Sequence, residues 1–183
     1  MIKNNININN FKISEKSKPY IVAELSANHN GKLENVFKAI RVAKKSGADA
    51  IKIQSYTPDT MTINSKKNDF LVKKGLWKGN TLYGLYKKAY TPFEWHEKIF
   101  KYAKKIGITC FSTPFDKTAV DLLEKLKTPV YKVASFEITD LELLDYIASK
   151  KKPIILSTGM ANINEIKEAI KTKKYKKNNK IIL

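Results

Sequence analysis

Two lysines lie inside apolar stretches of the sequence, where a positive charge needs a partner. Lys52 stands between two isoleucines, and Lys132 lies in the segment Val130–Val133. In a strand the side chains alternate between two faces, so Lys52 and Gln54 would share one face. A buried lysine is costly unless an anion neutralises it. Two such lysines at the same end of a sheet therefore indicate a binding site for a phosphate or a carboxylate.

Two alternatives for these lysines need no ligand. Either side chain could reach solvent at the rim of the sheet, since its aliphatic stem can lie on apolar surface while the ammonium stays hydrated. Either could also pair with Glu24 or Glu137, each of which follows a predicted strand. Glu24 has a chemical interpretation as well, because a carboxylate at this position could accept hydrogen bonds from substrate hydroxyls or act as an acid or base.

Short hydroxyl-rich turns follow two other apolar runs. The segments Phe111–Asp116 and Leu156–Met160 include Thr113 and Ser157. Loops of this kind, placed before a helix, offer hydroxyl and backbone N–H groups to phosphate oxygens. Each segment is equally compatible with an ordinary strand-to-helix turn that ends in a capping residue.

The histidines and the cysteine give little support for a metal site. His29 lies in the turn after the first predicted strand, where a hydrogen bond to the backbone is a simpler role than base or ligand. His96 lies on a predicted helix, and we expect it to be structural. Cys110 lies in an apolar run, so we expect a buried, unreactive thiol. A single cysteine excludes an internal disulfide and a cysteine-cluster zinc site.

Apolar runs alternate with amphipathic stretches along the chain, which predicts a parallel sheet with crossover helices. The predicted strands are Tyr20–Ala23, Ala50–Gln54, Ile108–Thr113, Val130–Ala134, Pro153–Ser157 and, as the start of a sixth, Ile181–Leu183. The predicted helices are Leu33–Ser46, Pro92–Ile106, Asp116–Leu126, Leu141–Ser149 and Ile163–Lys171, with Asp116 and Asp140 as capping residues.

Two α/β architectures fit this pattern, a doubly wound sheet and a (β/α)₈ TIM barrel. A barrel takes about 250 residues. The chain has 183 residues, so as a barrel it would hold five complete units and the start of a sixth. The segment Ile2–Ile13 alternates Ile and Asn like a small hairpin, which could close the bottom of a barrel.

The composition favours a cytoplasmic protein that contacts neither nucleic acid nor membrane. The net charge is +18, yet Arg41 is the one arginine. Proteins that bind DNA use arginine for bidentate contacts to guanine and phosphate, so we interpret the charge as solvated surface. No run approaches the roughly 20 apolar residues of a membrane helix. The first residues are rich in Asn and lack the apolar run of a secretory signal, so we expect no such signal.

Five groups of residues, in order along the chain, resemble the sialic acid synthase family. They are Glu24 with Asn28–Asn30, Lys52–Gln54, Phe111–Asp116, Tyr131–Glu137 and Pro153–Met160. The resemblance extends from Pro19 to Ile170, which is most of the chain. Members of this family condense phosphoenolpyruvate with an amino-sugar.

The resemblance implies a TIM barrel followed by a small antifreeze-like domain. Residues 1–18 would form an N-terminal hairpin cap, and residues 19–183 would form the N-terminal part of the barrel, with about the first five to six βα units. The antifreeze-like domain and the family's two metal-ligating histidines would lie beyond Leu183. We therefore expect no metal ligand in this chain and little or no synthase activity from it alone. Full-length members are homodimers that use a divalent metal, commonly Mn²⁺.

The resemblance also assigns roles to individual residues. The phosphate and the carboxylate of phosphoenolpyruvate would be held by Lys52, Thr113, Lys132, Ser135 and Ser157. Hydroxyl or amide groups of the sugar would be bound by Glu24, Gln54 and Glu137. The residues expected to take part in catalysis are Glu24, Lys52 and Lys132. The two lysines are the same ones that the strand pattern associates with an anion.

The insertion after the second strand resembles the branch of the family that makes pseudaminic acid. It contains Leu76–Gly79, Thr81–Tyr86 and Thr91–His96, and we expect Tyr83 and Tyr86 to shape the sugar pocket. The implied reaction joins phosphoenolpyruvate to 2,4-diacetamido-2,4,6-trideoxy-β-L-altrose and releases phosphate. Two alternatives stay open: an N-acetylneuraminate or legionaminate synthase acting on another amino-sugar, and a non-catalytic basic fragment that binds a polyanion.

Overall fold

The computed structural model describes residues 6–172, 178 and 180–183. An antiparallel hairpin comes first, formed by β1 (Ile6–Ile8) and β2 (Phe11–Ile13). The earlier part of the segment predicted as a hairpin, and the first five residues of the predicted cap, lie outside the described residues. Six parallel strands follow: β3 (Val22–Glu24), β4 (Ala50–Ser55), β5 (Thr109–Pro114), β6 (Tyr131–Val133), β7 (Ile154–Leu156) and β8 (Ile181–Ile182).

Helices connect successive strands of this sheet. They are α1 (Leu33–Lys45), α2 (Pro58–Met61), α3 (Leu82–Ala89), α4 (Phe93–Ile106), α5 (Lys117–Lys125), α6 (Leu141–Ser149) and α7 (Ile163–Lys171). Two 3₁₀ turns, Asn68–Phe70 and Phe136–Thr139, complete the connections. In the part of the chain that the structure describes, no helix is long and apolar enough to cross a membrane.

Side-chain caps and a left-handed glycine define several helix ends, as the sequence predicts. Asp116 accepts hydrogen bonds from two backbone N–H groups in the first turn of α5, and Asp140 accepts one from Leu143 at the start of α6. A cap of this kind satisfies a donor that the helix cannot satisfy itself. Gly107 ends α4 with φ = 73°, a conformation that glycine adopts without steric cost.

The order of the strands distinguishes the two predicted architectures. The strands pair in chain order from β3 to β8, each parallel to the next. A doubly wound sheet reverses its strand order at a switch point, whereas a TIM barrel adds each strand beside the previous one. The sheet is curled and forms a partial TIM barrel, which confirms the predicted fold class.

The two faces of the sheet pack against different partners. The outer face carries Ile51 and Ile53, which pack against α1 and α4 residues such as Val36 and Ile99. The inner face carries Ala50, Phe111 and Val130 near the amino ends of the strands, where they form a buried cluster with Ile8 of the hairpin. Burial of this apolar layer leaves the carboxyl ends of the strands for the polar residues.

The first strand of the sheet differs in position from the prediction. It was predicted at Tyr20–Ala23, but β3 begins at Val22 and includes Glu24. The N–H of Ile21 is bonded to the Asp49 carboxylate instead of a neighbouring strand, at 2.8 Å. Pro19, with no N–H of its own, cannot extend the ladder either. The shift places Glu24 inside the strand and in register with the next one.

Candidate anion-binding site

Four of the predicted site residues lie on the inner face at the carboxyl ends of three neighbouring strands. Glu24 is in register with Lys52 across β3 and β4, and Gln54 is in register with Thr113 across β4 and β5. Residues in register on parallel strands point to the same side of a sheet, so these four side chains share one face. In TIM barrels this end of the strands holds the active site.

Lys52 forms an ion pair with Glu24. Its side chain is 17% exposed, and that of Glu24 is 41% exposed. One of the alternatives that the sequence left open, a lysine neutralised by Glu24, is therefore present in the structure. A partly exposed ion pair contributes little to stability, because solvent screens it. An anion with more charge can therefore displace the Glu24 carboxylate from Lys52.

Lys132 reaches the same region from β6. Its ammonium donates hydrogen bonds to the carbonyl oxygen of Val133 and to the hydroxyl of Ser157, which directly follows β7. Burial, reinforced by repulsion from Lys52, lowers the pKa of Lys132 to about 8. The register of β5 and β6, in which Tyr131 pairs with Ser112, places Lys132 beside Thr113 on the face that also carries Lys52.

Glu137 follows β6 and interacts electrostatically with Lys132. Burial raises the pKa of the Glu137 carboxyl, and the charge of Lys132 opposes that shift. Its Oε2 atom is buried and has no hydrogen-bond partner among the described residues. An unpaired buried carboxylate oxygen is costly unless a ligand or a water molecule supplies a donor.

Hydroxyl groups border the same end of the sheet. Thr113 is buried at the end of β5, with 2% of its surface exposed. Ser135 follows β6 and lies against Gly159, where an added Cβ would meet the Ser135 hydroxyl at 3.1 Å. The glycine therefore allows the loops after β6 and β7 to approach each other closely. This approach brings the hydroxyls of Ser135 and Ser157 to adjacent strand ends.

Tyr83 and Tyr86 lie in α3 of the insertion. The contacts described for them are to residues of the insertion and to Tyr56, directly after β4, and not to Lys52 or Lys132. The Tyr83 hydroxyl donates to Asp59 Oδ1 at 3.1 Å. The Tyr86 ring packs edge-on against Tyr56, with ring centroids 5.8 Å apart. Tyr56 also contacts Phe115, directly after β5. The insertion is thereby fixed to the carboxyl end of the sheet, beside the anion-binding site.

Neither histidine is placed as a base or a ligand. His29 is buried and its Nδ1 accepts the N–H of Gly31 at 3.0 Å, the backbone role that the sequence favours. His96 is buried behind the sheet, where its Nε2 lies 2.7 Å from the Ser55 hydroxyl. Cys110 is also buried, and burial raises the pKa of its thiol to about 12.

The described residues do not by themselves fit a divalent metal. Within residues 6–172, 178 and 180–183, no group of three or more His, Cys, Asp or Glu side chains is arranged to hold an ion. The Glu24 carboxylate lies at the carboxyl end of the sheet, but it is paired with Lys52.

Sequence reasoning missed two residues that shape the site. Ser26 hydrogen-bonds both Glu24 and Gln54, at 2.8 and 3.3 Å. Gly159 permits the contact with Ser135. The only sequence signal for Ser26 is its place two residues after Glu24, within the turn, and a serine there is unremarkable without the structure.

The chain belongs to the NeuB family, whose profile matches residues 39–183. A pseudaminic acid synthase from Campylobacter jejuni subsp. jejuni serotype O:2 is 50% identical over 171 residues, which are 93% of this chain and 49% of that protein. A pseudaminic acid synthase from Helicobacter pylori is 50% identical over 152 residues, covering 83% of this chain and 45% of that protein. The chain thus spans about half the length of these relatives.

A solved structure supports the fold over most of the chain. The crystal structure of N-acetylneuraminic acid (sialic acid) synthetase from Leptospira borgpetersenii serovar Hardjo-bovis, in complex with citrate, superposes with a TM-score of 0.80 at 27% identity. The match covers 96% of this chain and 56% of that one. The family resemblance found in the five sequence motifs is confirmed.

Proposed function

We propose that the carboxyl ends of strands β3 to β7 bind phosphoenolpyruvate, as part of an enzyme that condenses it with an amino-sugar. The observation that carries the proposal is the convergence of Lys52 and Lys132 on one face, next to the hydroxyls of Thr113 and Ser157. Phosphoenolpyruvate has a phosphate and a carboxylate, and two ammonium groups with directed hydroxyl donors suit both.

The proposed sugar is 2,4-diacetamido-2,4,6-trideoxy-β-L-altrose, and the product would be pseudaminic acid. Similarity to the Campylobacter and Helicobacter synthases supports this choice. In the reaction, C3 of phosphoenolpyruvate forms a bond to the aldehyde carbon, water adds at C2, and phosphate leaves. Lys52, Lys132 and the neighbouring hydroxyls would hold the phosphate and the carboxylate, and Glu24, Gln54 and Glu137 would contact the sugar.

The relatives belong to a family that generally uses a divalent metal, and we include one in the proposal for the whole enzyme. We further propose that the enzyme is a cytoplasmic homodimer. The activity of the 183-residue chain alone is expected to be low.

Titration calorimetry of phosphoenolpyruvate into the 183-residue chain tests the binding half of the proposal. We expect Lys52→Ala and Lys132→Ala each to weaken binding at least about tenfold, the order of a lost charge-assisted hydrogen bond. Lys101→Ala is the matched control, since Lys101 is exposed on α4 and paired with Glu97. Equal losses in the control, or no binding by the unaltered chain, would contradict the proposal.

Turnover assays test which amino-sugar is the substrate. The protein, at the length at which source cells make it, is assayed with the altrose derivative, N-acetylmannosamine and the legionaminic acid precursor side by side. Faster phosphate release with either of the other sugars would replace the proposed substrate. Tyr83→Ala and Tyr86→Ala should change the sugar preference more than the affinity for phosphoenolpyruvate, and unchanged sugar kinetics would exclude a role for these tyrosines.

The same experiments separate the proposal from simple polyanion binding. A polyanion held by the surface lysines would bind with an affinity that falls steeply with salt. That affinity would be insensitive to Lys52→Ala, because Lys52 is one charge among many. Such a result, combined with no affinity for phosphoenolpyruvate, would favour a non-catalytic basic fragment.

A further inference from the structure

We propose that Ser26 is a positioning residue that orients Glu24 and Gln54 together and makes the Gln54 amide nitrogen a hydrogen-bond donor to an acceptor oxygen of the sugar. The inference rests on the proposed function, because it concerns how the same site recognises its second substrate. The acceptor class is a carbonyl or hydroxyl oxygen, such as the carbonyl of an acetamido group.

The backbone of Ser26 holds one side of the Glu24 carboxylate. The Ser26 N–H donates to Glu24 Oε1 at 2.8 Å, and Lys52 pairs with Glu24 Oε2. Contacts to both oxygens fix the plane of the carboxylate, as a donor on one oxygen alone would not. Glu24 thus has a defined orientation before any substrate arrives.

The side chain of Ser26 holds Gln54. The Ser26 hydroxyl donates to Gln54 Oε1 at 3.3 Å. The Ser26 hydroxyl fixes which end of the amide carries the oxygen, and the opposite end, Nε2, then presents two N–H donors. Within the described part of the chain, no hydrogen bond from Gln54 Nε2 is found. The site therefore offers an N–H donor at this position and would match an acceptor oxygen.

The backbone of Ser26 has an unusual conformation, which allows its contacts to both Glu24 and Gln54. Its φ is 51°, in the left-handed region that residues other than glycine, asparagine and aspartate rarely adopt. This conformation turns the chain directly after β3, so that the N–H and the hydroxyl of one residue reach side chains on two adjacent strands. Local backbone strain persists where surrounding contacts compensate for it.

Two substitutions separate the hydroxyl from the backbone. Ser26→Ala removes the hydroxyl and keeps the strained φ, whereas Ser26→Gly removes the hydroxyl and relieves the strain. Both keep the N–H that holds Glu24. We expect each to raise the KM for the sugar by about tenfold, the order of one lost hydrogen bond. The KM for phosphoenolpyruvate should stay within about twofold, because the lysines are untouched.

A double-variant cycle tests whether Ser26 acts through Gln54. In a Gln54→Ala background, Ser26→Ala should add less than about twofold to the sugar KM, because the group that it orients is gone. Gln54→Glu should raise the sugar KM at least as much as Gln54→Ala does, since it replaces the N–H donor with an acceptor. Independent effects of Ser26 and Gln54, or full sugar affinity in Gln54→Glu, would overturn the inference.

A readout without turnover distinguishes failure of this inference from failure of the proposed function. In the 183-residue chain, we expect the Gln54 side-chain amide to give a distinct nuclear magnetic resonance signal that moves to an averaged position in Ser26→Ala. An unchanged signal would overturn the positioning role, whatever the enzyme does. Absence of turnover by the unaltered, native-length protein with all three sugars would refute the proposed function instead.

Discussion

Glu24 and Lys52 lie opposite each other in the register of β3 and β4, and their side chains form an ion pair at the carboxyl end of the sheet. The pair neutralises a lysine that lies inside the partial barrel. It also means that an incoming anion must compete with Glu24 for the ammonium of Lys52. The ammonium of Lys52 can therefore pair either with Glu24 or with a bound anion.

Removal of the competing carboxylate should strengthen anion binding. We expect Glu24→Gln to tighten the binding of phosphoenolpyruvate about two- to fivefold, which corresponds to the free energy of an exposed ion pair. The glutamine keeps an oxygen for the Ser26 N–H, so the turn after β3 is preserved. Titration calorimetry at pH 7 measures the change, with Glu97→Gln on α4 as the control. Weaker binding in Glu24→Gln would show that the carboxylate supports the anion site instead of competing with it.

The affinity for phosphoenolpyruvate should fall above pH 8. Lys132 has a pKa of about 8, chiefly because of burial. It is charged below this pH and neutral above it, so a bound anion loses one of its two ammonium partners as the pH rises. We expect roughly tenfold weaker binding at pH 9.5 than at pH 7, together with proton uptake on binding near pH 8.

Lys132→Arg is the control for this pH dependence, because a guanidinium stays charged over the whole range. Its affinity, whatever its value at pH 7, should change little between pH 7 and pH 9.5. Calorimetry in two buffers of different ionisation enthalpy counts the protons taken up. A flat profile for the unaltered chain would exclude Lys132 as a charged partner of the ligand.

Much of this architecture can be predicted from the sequence, because it depends on local signals. Asp116 and Asp140 cap the helices for which they were predicted, and α7 has the predicted bounds Ile163–Lys171. The strands were placed to within a few residues, since continuous apolar runs between helices identify buried parallel strands. The alternation rule also placed Lys52 and Gln54 on one face.

The remaining features depend on pairing between distant residues. The choice between a barrel and a doubly wound sheet rests on strand order, which periodicity does not encode and which only the family resemblance supplied. The Glu24–Lys52 pair joins residues 28 positions apart through a register that no local pattern specifies. Ser26, with φ = 51°, contacts side chains of two strands, so its role is visible only after folding.

The close approach of Gly159 to Ser135 should make that glycine sensitive to a single methyl group. An added Cβ would lie 3.1 Å from the Ser135 hydroxyl and 3.8 Å from its Cβ, so the hydroxyl would have to move by a few tenths of an ångström. We expect Gly159→Ala to weaken phosphoenolpyruvate binding about threefold, with little change in thermal stability. In a Ser135→Ala background the same substitution should have no further effect. An additive loss would locate the damage elsewhere in the loop after β7.

The buried chain of hydroxyls behind the site should make stability depend on pH. Ser112 contacts Ser55 at 2.6 Å, Ser55 donates to His96 Nε2, and His96 Nδ1 donates to the carbonyl of Pro92 at 3.0 Å. Burial lowers the pKa of His96 to about 4, so the folded state keeps the ring neutral where the unfolded chain, with a pKa of 6.5, binds a proton. The unfolded state therefore binds more protons between pH 6.5 and pH 4, and stability falls as the pH drops through that window.

We expect the free energy of unfolding to decrease by about 2 kcal/mol from pH 7 to pH 5, and His96→Gln to lose most of this dependence. Urea denaturation at the two pH values measures both, and an equal pH dependence in the two proteins would contradict a neutral, buried His96.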